Sequence, residues 1–476
     1  MQTFSIETLG CKVNQYESDQ IAALLRSRGL AQIEAGGDVR VVNTCSVTVQ
    51  AASKSRQTAR QAVKLSLPVL SNKQPEWSQA VAGKEHRVIV TGCWATSDRE
   101  EARNLPGVDA VLGHHDDVAA DLNRLLDEWM EHAGGKLAAP MAVGERDTKK
   151  PGTVTLPQLG ERQTGHQRAF LKIQDGCDAH CTYCIIPQLR PNLWSKPVSD
   201  AVIEAQKLVD SGHAEIVLTG IFMGAYGQPT ALRRRQAFST AKPLGELVEA
   251  LCTQVKGLKR LRLSSLEPED LSPDLIRVLK GHEQVVPHFH LPLQSGSDHL
   301  LRRMNRQYDS SDFLRVVDQV KTSFDRPALT TDIIVGFPGE SDEEFDKTLA
   351  IAEQVGFIHI HAFPYSARPK TAAARWTDDF VHGPVVNQRI NLLRDRATEH
   401  SFAYRQQFVG QSVKVLVERP SAEEREAAEL SGFQHGRCER YFAVHFEAER
   451  SRVGELLEVR VDRVTMHRTV GTIAWW

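Results

Sequence analysis

The chain has 476 residues, of which 41% are hydrophobic and 25% charged, with a net charge of −2 and eight cysteines. That composition belongs to a soluble globular protein with room for roughly two to four domains, and it excludes a polycation, so any nucleic-acid contact must be local. No apolar run reaches membrane-spanning length and the opening MQTFSIETLG lacks a basic-then-apolar leader pattern, which predicts a cytoplasmic protein with no membrane partner.

Residues 1–135 read as alternating strands and helices. β-rich runs at Thr3–Leu9, Val39–Val42 and Arg87–Thr91 are separated by helical patterns that include Ser18–Ser27 and Ala51–Lys64. This predicts an α/β three-layer domain around a parallel sheet. Cys11, Cys45 and Cys93 each stand just past one of the strands. Carboxyl ends of neighbouring parallel strands converge, so the three can share one iron–sulfur cluster; separate free thiols are the alternative. Lys54, Arg56 and Arg60 recur on one helix face behind Cys45, as a phosphate-binding or merely solvated face. Residues 66–85, with Pro68 and Pro75, read as a surface insertion, and 136–165, rich in Gly, Pro and charge, as a linker.

The alternation restarts at Phe170. Phe170–Ile173, Glu215–Leu218, Arg260–Ser264, His288–Leu293, Ala328–Val335 and Phe357–Phe363 are six candidate strands with helical segments between them. They predict a partial (βα)6 barrel over residues 166–405, with its site at the carboxyl ends of the strands. Directly after the first strand comes Cys177-Asp178-Ala179-His180-Cys181-Thr182-Tyr183-Cys184. Three thiolates at this C-x3-C-x2-C spacing can hold three corners of a cubane iron–sulfur cluster and leave one iron open. A zinc knot would need a second cysteine pair or further histidines, and His180 alone does not complete one. The spacing, with aromatic Tyr183 before the third cysteine, resembles the signature of radical S-adenosylmethionine (SAM) enzymes.

Arg233, Arg234 and Arg235 form a basic loop, and Arg302, Arg303 and Arg306 another basic patch. Gly336-Phe337-Pro338-Gly339-Glu340 suits a turn feeding a helix. From about Gln411 the character changes. Val413–Val417, Tyr441–Phe446, Leu456–Val461 and Val470–Ile473 predict a small β-barrel over 410–476. Cys252 and Cys438 lack any ligand-like context and read as structural.

Taken together, these residues resemble the methylthiotransferase family over nearly the whole chain. The resemblance is carried by the three N-terminal cysteine contexts, the triplet and several later stretches. These are Glu215-Ile216-Val217-Leu218-Thr219-Gly220, Leu263-Ser264-Ser265-Leu266-Glu267-Pro268, Leu291-Pro292-Leu293-Gln294-Ser295-Gly296-Ser297, Arg303-Met304-Asn305-Arg306 and Asp332 to Glu340. It implies an N-terminal domain with an auxiliary cluster on Cys11, Cys45 and Cys93, a radical SAM core, and a C-terminal RNA-binding barrel of the TRAM type. It further implies two [4Fe–4S] clusters, with Cys177, Cys181 and Cys184 as the catalytic set. SAM would lie against Tyr183, Thr219, Gly220, Ser265, Glu267, Gln294 and Asp332, although a cap or loop hydrogen bond accounts for any one polar residue of that set equally well. The implied partners are tRNA, SAM and an electron donor such as a flavodoxin or ferredoxin.

Thr8-Leu9-Gly10-Cys11-Lys12-Val13-Asn14-Gln15-Tyr16-Glu17-Ser18, and His361-Ala362-Phe363-Pro364-Tyr365-Ser366 with Arg368-Pro369, are most similar to the bacterial branch that modifies N6-threonylcarbamoyladenosine beside the tRNA anticodon. The implied reaction replaces the C–H at carbon 2 of that adenine by C–S–CH3. Isopentenyladenosine in tRNA and a ribosomal-protein side chain are the alternative substrates, and a non-catalytic iron–sulfur RNA-binding protein is the alternative of another class. One departure stands out: where the family runs into Arg-Gly after the triplet, this chain has Arg190-Pro191, and proline fixes its own backbone angle and removes an N–H.

Overall fold

The computed structural model describes residues 1–64, 86–132, 156–160, 167–232, 242–419 and 432–474. The expected insertion at 66–85, most of the expected linker at 136–165, and Arg233–Arg235 lie outside the described residues. Two compact units are present, one formed by Met1–Leu159 with Ile185–Trp194, the other by Gly160–Cys184 with Ser195–Trp476.

The first unit alternates β1 (Thr3–Thr8), α1 (Lys12–Ser27), β2 (Ala31–Gln32), β3 (Val39–Thr44), α2 (Val49–Lys64), β4 (Arg87–Gly92), α3 (Cys93–Ser97), α4 (Arg99–Arg103), β5 (Ala110–Leu112) and α5 (Val118–His132). Its parallel sheet runs in the order β2-β1-β3-β4-β5. Every residue of β3 is buried, as expected of a central strand covered on both faces, and its three valines are interrupted only by Arg40, which is itself buried and donates to the Ala62 carbonyl at 2.7 Å. Two apolar clusters fill the sides of the sheet, one around Phe4, Leu25, Ile89 and Leu126, the other around Val42, Val88, Val90 and Trp94.

The second unit contains β6 (Arg168–Asp175), then α7 (Val198–Asp210), β8 (Glu215–Gly220), α8 (Lys242–Gln254), β9 (Arg260–Leu263), α9 (Pro273–Gly281), β10 (His288–His290), α10 (Asp298–Arg303), α11 (Ser310–Ser323), β11 (Ala328–Val335), α12 (Asp342–Val355) and β12 (His359–Pro364). Between β6 and α7 stand α6 (Ile186–Leu189), which belongs to the first unit, and the two-residue β7 (Trp194–Ser195). β6, β8 and β9 run parallel, as do β10, β11 and β12. Parallel bridges Leu261–Val285 and Ser265–His290 join the two sets, so six consecutive strands form an open partial barrel. The helix starts follow from their caps: the Ser272, Ser297, Asp309 and Ser341 side chains each accept an N–H of the first turn. Gly336-Phe337-Pro338-Gly339-Glu340 is the turn before α12, and the Glu340 carboxylate accepts the Gly336 N–H at 2.7 Å and pairs with Arg389 at 2.8 Å.

α13 (Gly383–Gln406) leads into a closed barrel of β13 (Ser412–Val417), β14 (Phe433–Cys438), β15 (Ala443–Glu447), β16 (Leu456–Val464) and β17 (Thr469–Ile473), in the order β13-β14-β15-β17-β16. Phe408, Cys438, Val444, Phe446 and Val459 are among its core residues. This barrel sits against the amino-terminal ends of β6, β8 and β9. Glu215, fully buried, pairs with Arg262 at 2.7 Å and Arg260 at 3.3 Å. Those arginines donate onward to the carbonyls of Glu439 and Arg437, and Arg168 pairs with Glu418 at 3.2 Å. Burial pushes the Glu215 carboxyl up, but Arg262, Arg260 and Arg168 outweigh it and hold it at about 2.

Candidate active site

In the first unit the sheet order makes β1, β3 and β4 neighbours. Cys11 caps α1 after β1, Cys45 follows β3, and Cys93 opens α3 after β4. The Asn14 side chain donates to the carbonyls of Leu9 (2.8 Å) and Thr44 (2.9 Å), which ties the cysteine-bearing turns together. Ser55 both donates to the Cys45 carbonyl and accepts its N–H. Gly10 and Gly92, one before each outer cysteine, have φ of 98° and 91°. A Cβ on Gly10 would lie 2.8 Å from Cys45 Cβ, and one on Gly92 2.4 Å from Asn43 Oδ1, so side chains are excluded where the turns close on one another.

Burial pushes the Cys93 thiol up to about 12; the Arg190 guanidinium opposes this, while Cys11, Cys45 and Glu17 add to it. The three cysteines are therefore within electrostatic reach of one another. Cys93 also packs on Leu189 of α6 and on Ile185 just before it, and Arg190 forms a two-toothed ion pair with Glu17, both contacts at 2.8 Å. Two buried thiols, Cys45 and Cys93, and the exposed Cys11, beside a guanidinium, suit a metal that displaces the thiol protons and carries net negative charge once ligated.

In the second unit the Cys177–Cys184 loop leaves the carboxyl end of β6, as expected for a barrel site. The Ala179 N–H points at Cys177 Sγ (3.4 Å) and Arg306 Nη1 donates to Cys181 Sγ (3.3 Å). Burial pushes the Cys177 thiol up to about 11. Donors aimed at sulfur are what iron-bound thiolates take up, and they set cluster potential. The loop is gripped by four consecutive residues. The Arg303 carbonyl accepts the Thr182 hydroxyl, the Met304 carbonyl accepts the Thr182 N–H, the Asn305 side chain donates to the His180 carbonyl, and Arg306 reaches Cys181. Asp178 accepts from the Thr230 hydroxyl and the Ala231 N–H, each at 2.6 Å.

Arg306 is thus no member of a solvated basic patch: it is buried and its second nitrogen pairs with Glu267. Arg302 is exposed, and Arg303 pairs with Asp379 over the Trp376 ring. On the first unit, Lys54 and Arg60 are exposed on α2 and Arg56 pairs with Glu101 at 3.4 Å. A cavity bordered by Cys181, Glu267, Asn305 and Arg306 adjoins the triplet. Thr219 and Gly220 end β8, Ser265 and Glu267 follow β9, and Gln294, with φ of 61°, follows β10. Asp332 differs: it lies inside β11, 3.3 Å from His290. The Tyr183 ring joins a cluster with Phe337, Tyr365 and Trp376. Cys252 and Cys438 are buried thiols, each pushed up to about 12 by desolvation.

Residues 171–352 match the Radical SAM superfamily, and residues 3–113 match the Uncharacterized protein family UPF0004. Across 97% of this chain and 94% of the relative, the sequence is 34% identical to the threonylcarbamoyladenosine tRNA methylthiotransferase MtaB of Bacillus subtilis (strain 168). The chain belongs to the radical SAM methylthiotransferase family. A tRNA-2-methylthio-N(6)-dimethylallyladenosine synthase of Cereibacter sphaeroides (strain ATCC 17029 / ATH 2.4.9) is 33% identical over 96% of this methylthiotransferase and 95% of the relative. The solved radical SAM methyltransferase TsrM from Kitasatospora setae shares the fold, with a TM-score of 0.51 and 15% identity over 76% of this chain and 72% of that one. As a radical SAM methylthiotransferase, the enzyme uses SAM and a [4Fe–4S] cluster. Among the described residues no helix is long and apolar enough to cross a membrane.

Proposed function

We propose that this methylthiotransferase acts in the cytoplasm on tRNA and converts N6-threonylcarbamoyladenosine next to the anticodon into its 2-methylthio derivative. The observation that carries this reading is near-full-length similarity, at 34% identity, to two MtaB enzymes, from Bacillus subtilis and Thermotoga maritima (strain ATCC 43589 / DSM 3109 / JCM 10099 / NBRC 100826 / MSB8). The dimethylallyladenosine branch is a second reading, supported by a relative at 33% identity over a similar span.

Cys177, Cys181 and Cys184 would hold the reducing cluster. With SAM and an electron from a flavodoxin or ferredoxin, a cluster held there would supply the radical chemistry that an unactivated aromatic C–H requires. The protein's part is positioning. Arg306 and the Ala179 N–H direct donors at the triplet sulfurs, and the Arg303–Arg306 run fixes the loop. Thr219, Gly220, Ser265, Glu267 and Gln294 would line the SAM pocket from the strand ends, while Tyr183 steadies the loop through its aromatic neighbours. Cys11, Cys45 and Cys93 would carry a second [4Fe–4S] cluster, the source of the transferred sulfur. The 410–476 barrel would hold the RNA, in the manner of a TRAM domain.

Mass spectrometry of tRNA nucleosides from cells with and without the gene tests the assignment. Loss of 2-methylthio-threonylcarbamoyladenosine with accumulation of its unmethylthiolated parent is expected. Loss of the isopentenyl counterpart would move the enzyme to the neighbouring branch, and no change in either nucleoside would overturn the tRNA reading.

A further inference from the structure

We propose that His290, Asp332 and His361 bind a divalent transition-metal ion of the zinc type, separate from the iron held by the cysteines. Three adjacent strands supply one donor each. β10, β11 and β12 are in parallel register, with Asp332 opposite His361 and Thr330 opposite both His290 and His359. Strand alternation puts Thr330 and Asp332 on one face of β11, and His359 and His361 on the same face of β12, while buried Thr331, Ile333, Ile360 and Ala362 fill the other face. The result is a group of two imidazoles and a carboxylate whose ligand atoms all lie within 4.8 Å of one another.

Both rings are already oriented. His290 Nδ1 is 2.9 Å from the Thr330 hydroxyl, which leaves Nε2 facing Asp332 Oδ2 at 3.3 Å. His361 Nδ1 is 3.2 Å from His359 Nε2. Metal-binding histidines are held in this way, with one ring nitrogen anchored by a second group and the other given to the ion. An all-N/O set favours Zn2+ or Fe2+ over thiophilic ions, and three protein donors leave a coordination position for water or a ligand oxygen. His290 and Asp332 are half-buried and His361 is exposed, so the site has both a shielded floor and an entry path. The competing account is a hydrogen-bonded His–Asp pair with no ion.

The test uses the full chain with its iron–sulfur clusters reconstituted, titrated with Zn2+ alone and followed by metal analysis and zinc X-ray absorption. The wild type is expected to take up one more zinc ion than Asp332→Asn or His361→Gln, with a nitrogen/oxygen shell at about 2.0–2.1 Å. His299→Gln, an exposed histidine outside the group, is expected to match the wild type. Zinc uptake by both site variants equal to wild type, or a sulfur shell at about 2.3 Å, overturns the proposal. Were Asp332→Asn to lose its iron through misfolding, His361→Gln at its exposed position decides alone: zinc retained overturns the site, zinc lost with iron kept sustains it.

Discussion

Arg306 Nη1 lies 3.3 Å from Cys181 Sγ while its other terminal nitrogen pairs with Glu267. One guanidinium therefore links the triplet to a residue at the rim of the barrel. Two points of contact at fixed spacing require the planar fork of arginine, and a lysine ammonium cannot make both.

With Cys181 as a ligand of the proposed cluster, replacing Arg306 by methionine would remove a positive charge and a donor from a ligating sulfur, so the reduced form would lose stabilisation. The cluster potential is expected to fall by roughly 60 mV, a tenfold change for one electron. Arg306→Lys recovers only part of it. An EPR-monitored redox titration reads the shift, and the rate of 5′-deoxyadenosine formation should fall with it.

Arg190 and Glu17 form a buried two-toothed pair. Arg190→Met leaves the Glu17 carboxylate without its partner and should cost about 3–5 kcal/mol. Glu17→Gln added to that variant should recover a large share, because an amide needs no counter-charge. Urea unfolding of the four proteins in this cycle measures the coupling; additive losses would show that the pair is not an energetic unit.

Alanine at Cys11, Cys45 or Cys93 is expected to lower iron by about four atoms per chain and to abolish methylthio product. SAM cleavage should continue in these variants, whereas alanine at Cys177, Cys181 or Cys184 should stop it. Iron analysis and 5′-deoxyadenosine assays separate the two sets.

Asp19 on α1 is buried beside Gln15, and desolvation raises its carboxyl to about 7, against the Gln15 hydrogen bond and the Arg26 charge. The folded state thus binds a proton more tightly than the unfolded chain does. The associated stability is fully present below pH 3.8 and is lost as pH rises through about 7. Asp19→Asn should therefore be more stable than wild type at pH 8, by roughly 1–3 kcal/mol, with the gap closing towards pH 5. Denaturation midpoints at the two pH values check the sign.

Glu215 carries the opposite sign. Its carboxyl is held at about 2 against an ordinary 4.5, so its contribution is present above pH 4.5 and fades as pH falls to about 2. Glu215→Gln should cost about 3–5 kcal/mol at neutral pH, since Arg262 stays buried beside a neutral amide and Arg260 keeps only the Glu439 carboxylate at 3.8 Å. Limited proteolysis between α13 and β13 should accelerate in the same variant.

Much of the fold is legible in the sequence because the buried parallel strands are rich in β-branched and aliphatic residues, as at Val39–Val42 and Ala328–Val335. β14 and β5 escaped notice. Phe433–Cys438 contains Gln434, His435, Gly436 and Arg437 and becomes a strand only through its neighbours, and Ala110–Leu112 is three residues long. The Cys177–Cys184 triplet stands out by its spacing, and Cys11, Cys45 and Cys93 by their places just past strands. Arg306 did not, because its charge suggested solvent, although the turn-forming Asn305 next to it was a clue that the chain folds back there. The histidine group was likewise hidden, yet His288-x-His290 and His359-x-His361 each repeat at the two-residue period of a strand.

The pairing of Glu215 with arginines that also grip the carbonyls of Arg437 and Glu439 has a mechanical meaning. It fastens the terminal barrel to the floor of the catalytic one through buried, charge-assisted hydrogen bonds. An RNA held by the first would meet the second at a set distance, and the nucleotide presented for chemistry would be chosen by measurement along the strand as much as by its own shape.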